Sequence, residues 1–220
     1  EDATPADGEA ADEITIWYGK KTKNTVMKYN PSTKKYEYNQ YMKLMTDQIT
    51  GEVEAFNNGF MRDGSEHEPL SHRFTYGVAG YPEKHEEAMN LDIDIEYLKA
   101  KIDAGAQYVV TQMFFDNQVY YDFVRRCREA GITVPIIPGL KPLSSARQVT
   151  MLPESFSLDI PIELTSEIAK AGEDKDAIYQ IGTEWCIGQC KDLIAHGVPA
   201  VHFYTMGKSK NIVNILKECF

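Results

Sequence analysis

A chain of 220 residues that is 43% hydrophobic has room for one large domain or two small ones around a sizeable core. Its 33 acidic residues against 23 Lys+Arg give a net charge of −10 with no basic cluster, which argues against nucleic acid as the main partner. No apolar run approaches the roughly 18 residues of a membrane span, and no signal-peptide pattern opens the sequence. A cytoplasmic setting is expected. Cys127, Cys186, Cys190 and Cys219 then read as free thiols. Cys186 and Cys190 share a helix face, but a metal would want two further ligands beside them.

Residues 1–13, "EDATPADGEAADE", are small, acidic and Pro/Gly-bearing, and read as a loop or frayed start. "ITIWYG" (14–19) suits a short strand, and "VMKYNPSTKKYEYN" (26–39) alternates on either side of the turn-former "NPST", which predicts a hairpin. "YNQYMKLMTDQITGEVEAFNNG" (38–59) predicts a helix stopped at Asn57, Asn58 and Gly59. "MRDGSEHEPLSH" (61–72) is a loop.

From residue 74 the pattern becomes periodic. "FTYGVAGYP" is a strand running into a turn. "DIDIEYLKAKIDAGAQYVVTQMFF", "QVYYDFVRRCREAGITVPIIPG" and "KDAIYQIGTEWCIGQCKDLIAHGVPAVHFYTM" each read as a helix, then a Gly, then a strand, and "SKNIVNILKECF" is a closing helix. Gly at the helix C′ position permits a left-handed turn, and the short loop returns the chain to the sheet. Repetition of that unit predicts an α/β fold with a parallel sheet, either a (β/α) barrel or an open doubly-wound sheet.

No GxGxxG phosphate loop follows any of these strands. Polar groups instead gather after each one: Tyr81, Glu83 and His85, then Gln112, then Lys141, then Tyr204 and Lys208. In a barrel these positions share the rim where chemistry occurs. Gln112 interrupts the apolar run of "QYVVTQMFFDN", and leaving a buried amide unpaired costs about 1–3 kcal/mol per group. It is either a ligand contact at that rim or a bond to a neighbouring backbone loop.

The ordered set "GVAGYPEKHEEA" (77–88), "VVTQMFFDN" (109–117), "AGITVPIIPGLKPLSSARQ" (130–148) and "GVPAVHFYTMGKS" (197–209) resembles methylenetetrahydrofolate reductase over residues 74–220. The resemblance implies an eight-stranded TIM-type barrel holding FAD, of which this chain carries about the last four βα units. It places the second half of the reductase barrel at 71–220. Residues 1–70 are left as an irregular segment with a possible insertion at 14–35 and a helix. It further implies ping-pong chemistry: NADH or NADPH reduces the flavin and leaves, and methylenetetrahydrofolate enters the same space to take the hydride.

The resemblance also assigns residues. Gln112 matches the glutamine that contacts both folate and nicotinamide, and a neutral amide can donate and accept where a carboxylate only accepts. Tyr81, His85, Ala88, Asp94 and Lys101 match FAD-contacting positions. For Asp94 the alternative is a carboxylate complementing a helix N-terminus, and for Lys101 a solvated surface charge. Tyr97 and Ala100 stand where some relatives carry FAD-touching Asn and Arg. Gln148 and Lys208 match folate-binding positions, Lys208 replacing an arginine and giving a point charge for a bidentate fork. Asp2, in "EDATP", matches a flavin- and folate-facing aspartate, with Glu1 where the family has glycine. The family's catalytic glutamate, on its first strand, has no counterpart here.

The chain therefore reads as a carboxy-terminal half or fragment. An open half-barrel leaves two strand edges and an inner face uncovered, so the expected behaviour is a homo-oligomer or pairing with an amino-terminal half, with no activity alone. Two other functions fit the same rim: a pterin-binding barrel enzyme without flavin, and a catalytically silent partner chain that completes another polypeptide's barrel.

Overall fold

The computed structural model describes residues 13–18, 22–30, 35–38, 51–61, 63–205, 207 and 209–220. The chain divides into two units, Glu1–Thr75 and Tyr76–Phe220. In the first, β1 (Glu13–Tyr18), β2 (Thr22–Asn30) and β3 (Lys35–Tyr38) form an antiparallel sheet in that order. The hairpin expected at 26–39 is the β2–β3 pair, with Asn30 opposite Lys35, while residues 31–34 of its turn lie outside the described residues. Helix α1 is described over 51–57 and stops at Asn58 and Gly59, whose φ is +94°. The earlier part of the helix expected at 38–59 lies outside the described residues. Buried Asn57 closes the following loop: its Nδ2 donates to the Phe74 carbonyl at 3.0 Å and its Oδ1 accepts from the Phe74 amide at 2.6 Å.

The second unit is built on one repeated device. Helices α2 (Leu91–Asp103), α3 (Asn117–Glu129) and α6 (Lys175–Ala195) each end at a glycine with positive φ: Gly105, Gly131 and Gly197. At each end the glycine amide bonds three residues back and the next amide five residues back, as in Ala106 to Lys101 and Ile132 to Cys127. This is the Schellman arrangement, which satisfies carbonyls the helix leaves unpaired and turns the chain toward the sheet. The same helices start on side-chain caps: Asn90, Asp116 and Asp174 each accept from a first-turn amide.

The strands so delivered are β4 (Gly77–Gly80), β5 (Tyr108–Met113), β6 (Ile136–Leu140) and β7 (His202–Phe203). They lie in the order β4-β5-β6-β7 and every pair is parallel. With the alternating helices, this sheet is a partial (β/α) barrel, one of the two architectures that the spacing allows. Helix α7 (Lys210–Cys219) closes the chain. Val109, Phe123, Ile136, Leu140, Leu193 and Ile215 belong to one buried cluster joining sheet and helices. The four thiols are free, and burial pushes those of Cys127 and Cys190 up to about 12. Among the described residues no group of acidic, His and Cys side chains could hold a metal, and no helix is long and apolar enough to cross a membrane.

Two helices have no counterpart among the expected elements: α4 (Arg147–Phe156) and α5 (Ile162–Ala171). They carry a second apolar cluster, in which Leu152, Leu158, Leu164 and Ile168 pack with Met113, Phe115, Leu143 and Ile178. Helix α6 is tied to the end of β5 by the Trp185 indole, donating to the Phe115 carbonyl at 3.0 Å, and by buried Gln189, donating to the Phe114 carbonyl at 3.3 Å. The helix also crosses the segment after β6 very closely. A Cβ on Gly182 would stand 2.1 Å from the Leu143 carbonyl oxygen.

Candidate active site

Parallel strands bring their carboxyl ends to one edge, and the expected polar groups collect there. Along β5 the side chains alternate, with Val109, Thr111 and Met113 buried and Tyr108, Val110 and Gln112 partly exposed. Val109 packs into the helix-side core, so Val110 and Gln112 occupy the opposite, inner face. The Gln112 Oε1 accepts from the Met113 amide at 3.0 Å. The bond expected as the alternative is to a neighbouring backbone loop; the bond present is to the next amide of the same strand, and it uses only the oxygen. The Nε2 donors make no bond to any described residue.

The turn after β4 assembles the proposed flavin positions into one connected patch. The rings of Tyr81 and His85 meet edge-on at 4.6 Å. The His85 amide donates to Asp94 Oδ2 at 2.8 Å, and the buried Ala88 donates its amide to the His85 carbonyl at 3.0 Å. Lys84, held at φ +89°, stitches the turn by donating Nζ to the Ala88 carbonyl at 3.0 Å. His85 Nδ1 accepts from the Glu87 amide at 3.2 Å, which leaves Nε2 as the ring's remaining donor. Burial pushes the Asp94 carboxyl up, opposed by that His85 amide and by the charges of His85, Lys101 and Lys84. Burial pulls Lys101 down, opposed by Asp94. Lys101 is thus half-buried and within electrostatic range of Asp94. Tyr97 is half-buried beside them, with burial pushing its phenol up to about 12.

Glu83 belongs to the same turn. Its carboxylate accepts from the Asp159 amide, fastening the α4–α5 connection to the end of β4. Burial pushes its pKa up to about 7, against that hydrogen bond and with help from Asp159 and Asp116. The sign follows from proton counting. Between the ordinary value of 4.5 and about 7 the folded chain holds a proton that the unfolded chain has released, so stability falls as pH rises through that window. Solvent reaching the half-buried group screens the effect to on the order of 1 kcal/mol. Glu83→Gln keeps an acceptor for Asp159 and should flatten the pH dependence of the urea midpoint between pH 5 and pH 8, raising stability at pH 8. An unchanged slope would remove Glu83 as its source.

Beyond β6 and β7 the edge opens into a cavity of about 640 Å³ lined in part by Lys141, Ser144, Gln148, Tyr179, Tyr204 and Lys210. The Gln148 Oε1 takes donors from the Ser144 amide at 2.7 Å and the Ser145 amide at 3.2 Å, which fixes its orientation and turns Nε2 away. The Tyr204 hydroxyl donates to the Thr111 carbonyl at 2.9 Å. Its ring fits because residue 139 is glycine, where a Cβ would lie 2.7 Å from the ring. Burial raises the Tyr204 phenol, with a smaller contribution from Tyr81. His202 is exposed and packs edge-on against Tyr204 at 4.7 Å. Asp2 and Lys208 lie outside the described residues.

A family model described as methylenetetrahydrofolate reductase matches residues 67–219. Among curated relatives, a probable methylenetetrahydrofolate reductase (NADPH) of Caenorhabditis elegans is 41% identical over 69% of this chain and 23% of its own length. Methylenetetrahydrofolate reductase (NADH) 1 of Arabidopsis thaliana is 35% identical over 65% of this chain and 26% of its own length. The 5,10-methylenetetrahydrofolate reductase of Escherichia coli is 36% identical over 62% of this chain and 46% of its own length. The chain thus spans about a quarter of the eukaryotic relatives and under half of the bacterial one.

Proposed function

This chain belongs to the methylenetetrahydrofolate reductase family, and from that premise we propose that it forms part of an FAD-dependent enzyme reducing 5,10-methylenetetrahydrofolate to 5-methyltetrahydrofolate with NADH or NADPH. The observation that carries this reading is the connected patch after β4. Tyr81, His85, Ala88, Asp94 and Lys101 are scattered over 21 positions of sequence but linked by one ring contact, two hydrogen bonds and the electrostatic influence of Asp94 on Lys101.

The donor set suits a flavin dinucleotide. Lys101 offers a cation to a pyrophosphate, Asp94 a second carboxylate oxygen to a ribityl or ribose hydroxyl, His85 an Nε2 donor, and Tyr81 an aromatic face. Bound FAD supplies the relay of hydride between nicotinamide and folate, chemistry no side chain here can perform. The protein's part is positioning. Gln112, on the inner face, keeps its Nε2 free to donate to whichever heterocycle occupies the space. Gln148 offers a second oriented amide farther along the edge. The inner face of four strands is to be covered by further strands that close the barrel, whether from the same polypeptide, a second copy or a complementary chain.

Lys101→Ala in the intact protein should raise the FAD dissociation constant about tenfold, equivalent to one charge-assisted contact of about 1.4 kcal/mol. Flavin fluorescence quenching reads it directly. An unchanged constant would detach this patch from the flavin. NAD(P)H-dependent formation of methyltetrahydrofolate by the FAD-loaded protein tests the reaction itself.

A further inference from the structure

Strand β6 carries a proline, Pro138, at its centre, although it is flanked by β5 and β7. Proline has no amide hydrogen to give to a ladder, so within sheets it is confined to edges, strand starts and irregularities. Here it faces an irregularity. From Val110 to Met113 β5 advances three residues, while β6 advances two, from Ile137 to Gly139. Thr111 and Gln112 together therefore stand opposite Pro138 alone, as in a β-bulge. Three backbone groups around this point take side-chain partners. The Gly139 amide donates to Thr111 Oγ1 at 2.9 Å, the Thr111 carbonyl accepts from the Tyr204 hydroxyl, and the Met113 amide donates to Gln112 Oε1. Residue 139 must also be glycine, because a Cβ there would lie 2.3 Å from the Thr111 carbonyl oxygen.

Thr111 is fully buried, in a strand whose other buried residues, Val109 and Met113, are apolar. Valine would fill the same space, so what the hydroxyl adds is an acceptor for the Gly139 amide. That bond crosses from β5 to β6 at the extra residue, directly before Gln112. Side chains alternate along a strand, so an extra residue sliding back into the ladder would turn or displace its neighbour. We propose that Thr111 is a positioning residue for the reaction. Its hydroxyl pins the bulge, and the bulge aims the Gln112 donors at the space shared by nicotinamide and folate. Thr111 itself touches neither ligand and acts through Gln112. Its role therefore rests on the folate reading of that glutamine.

The test is a double-mutant cycle on the intact FAD-loaded protein. It reads kcat for methyltetrahydrofolate formation, the dissociation constant of 5-methyltetrahydrofolate, flavin content and the urea midpoint. With Gln112 present, Thr111→Val should lower kcat about tenfold and weaken the folate about threefold. In a Gln112→Ala background the same change should alter either quantity by less than about twofold. Thr111→Ser keeps the hydroxyl and should stay within about threefold of wild type. Pro138→Ala returns a donor to the point opposite the bulge. It should give a smaller loss of kcat that also vanishes with Gln112→Ala, and it carries the test alone where Thr111→Val does not fold. A Thr111→Val loss equal on both backgrounds would make Thr111 a residue of the fold only and overturn the proposal. So would an unchanged kcat with a lowered urea midpoint, or a Thr111→Ser protein as slow as Thr111→Val. Where Pro138→Ala carries the test, an unchanged or background-independent kcat does the same. Wild-type protein that neither binds nor forms methyltetrahydrofolate would instead overturn the folate reading itself.

Discussion

Replacing Gln112 by glutamate is expected to leave the fold and the bound flavin in place while lowering folate turnover roughly 30- to 1,000-fold, a loss of about 2–4 kcal/mol. The present side chain uses its oxygen on the Met113 amide and keeps its donors for the inner face. A carboxylate repeats the first function and abolishes the second. It also places a negative charge, with no donor of its own, against whichever heterocycle is bound. The strand is not disturbed, because the Met113 amide still finds an acceptor. Steady-state kinetics on the FAD-loaded protein, with flavin content measured alongside, checks both halves. Turnover within twofold of wild type would return Gln112 to a purely local bond.

The second large effect concerns shape. At Gly182, α6 passes the segment after β6 so closely that an added Cβ would lie 2.1 Å from the Leu143 oxygen, 2.8 Å from its carbonyl carbon and 2.9 Å from its nitrogen. All three are backbone atoms, which cannot rotate away as a side-chain tip can. Gly182→Val should therefore push the helix off the sheet edge and destabilise the protein by about 3 kcal/mol, at the upper end of overpacking costs. The same displacement should spoil the cavity shared by Lys141 and Tyr179, because Tyr179 stands one helical turn before Gly182. Chemical denaturation gives the first number. A midpoint equal to wild type would mean that the crossing is slack.

These features differ in how far the sequence reveals them. Helix, glycine and strand are legible three times over because the Schellman ending needs a left-handed residue, and Gly105, Gly131 and Gly197 announce it. Helices α4 and α5 lack such punctuation. Neither has a side-chain N-cap, α4 carries Pro153 in its interior, and its end is a left-handed serine, Ser157. Gln112 and Lys141 can be placed at strand ends from spacing alone. What cannot be read is who reaches them. The burial of Lys141, the empty-handed hydroxyl of Tyr179 and the bond from the Asp159 amide to Glu83, 76 residues apart, depend on elements that meet only in the folded chain. The family motifs mark the proposed flavin patch as a set, while its wiring through the His85 amide and Asp94 is tertiary.

The order β4-β5-β6-β7 repeats the order of the chain. No strand of this sheet has to wedge between two that are already paired; each docks on the free edge left by the one before. A polypeptide leaving the ribosome can lay down β4, α2 and β5 as a finished unit and then extend it, so that assembly keeps pace with translation. Among the described strands of this sheet β7 is the shortest, pairing through Gly139–His202 and Leu140–Phe203 alone. The β6–β7 seam is thus the weakest of the three described in this sheet. If the edge breathes, hydrogen exchange should be fastest at His202 and Phe203, beside the cavity that α7 helps to enclose.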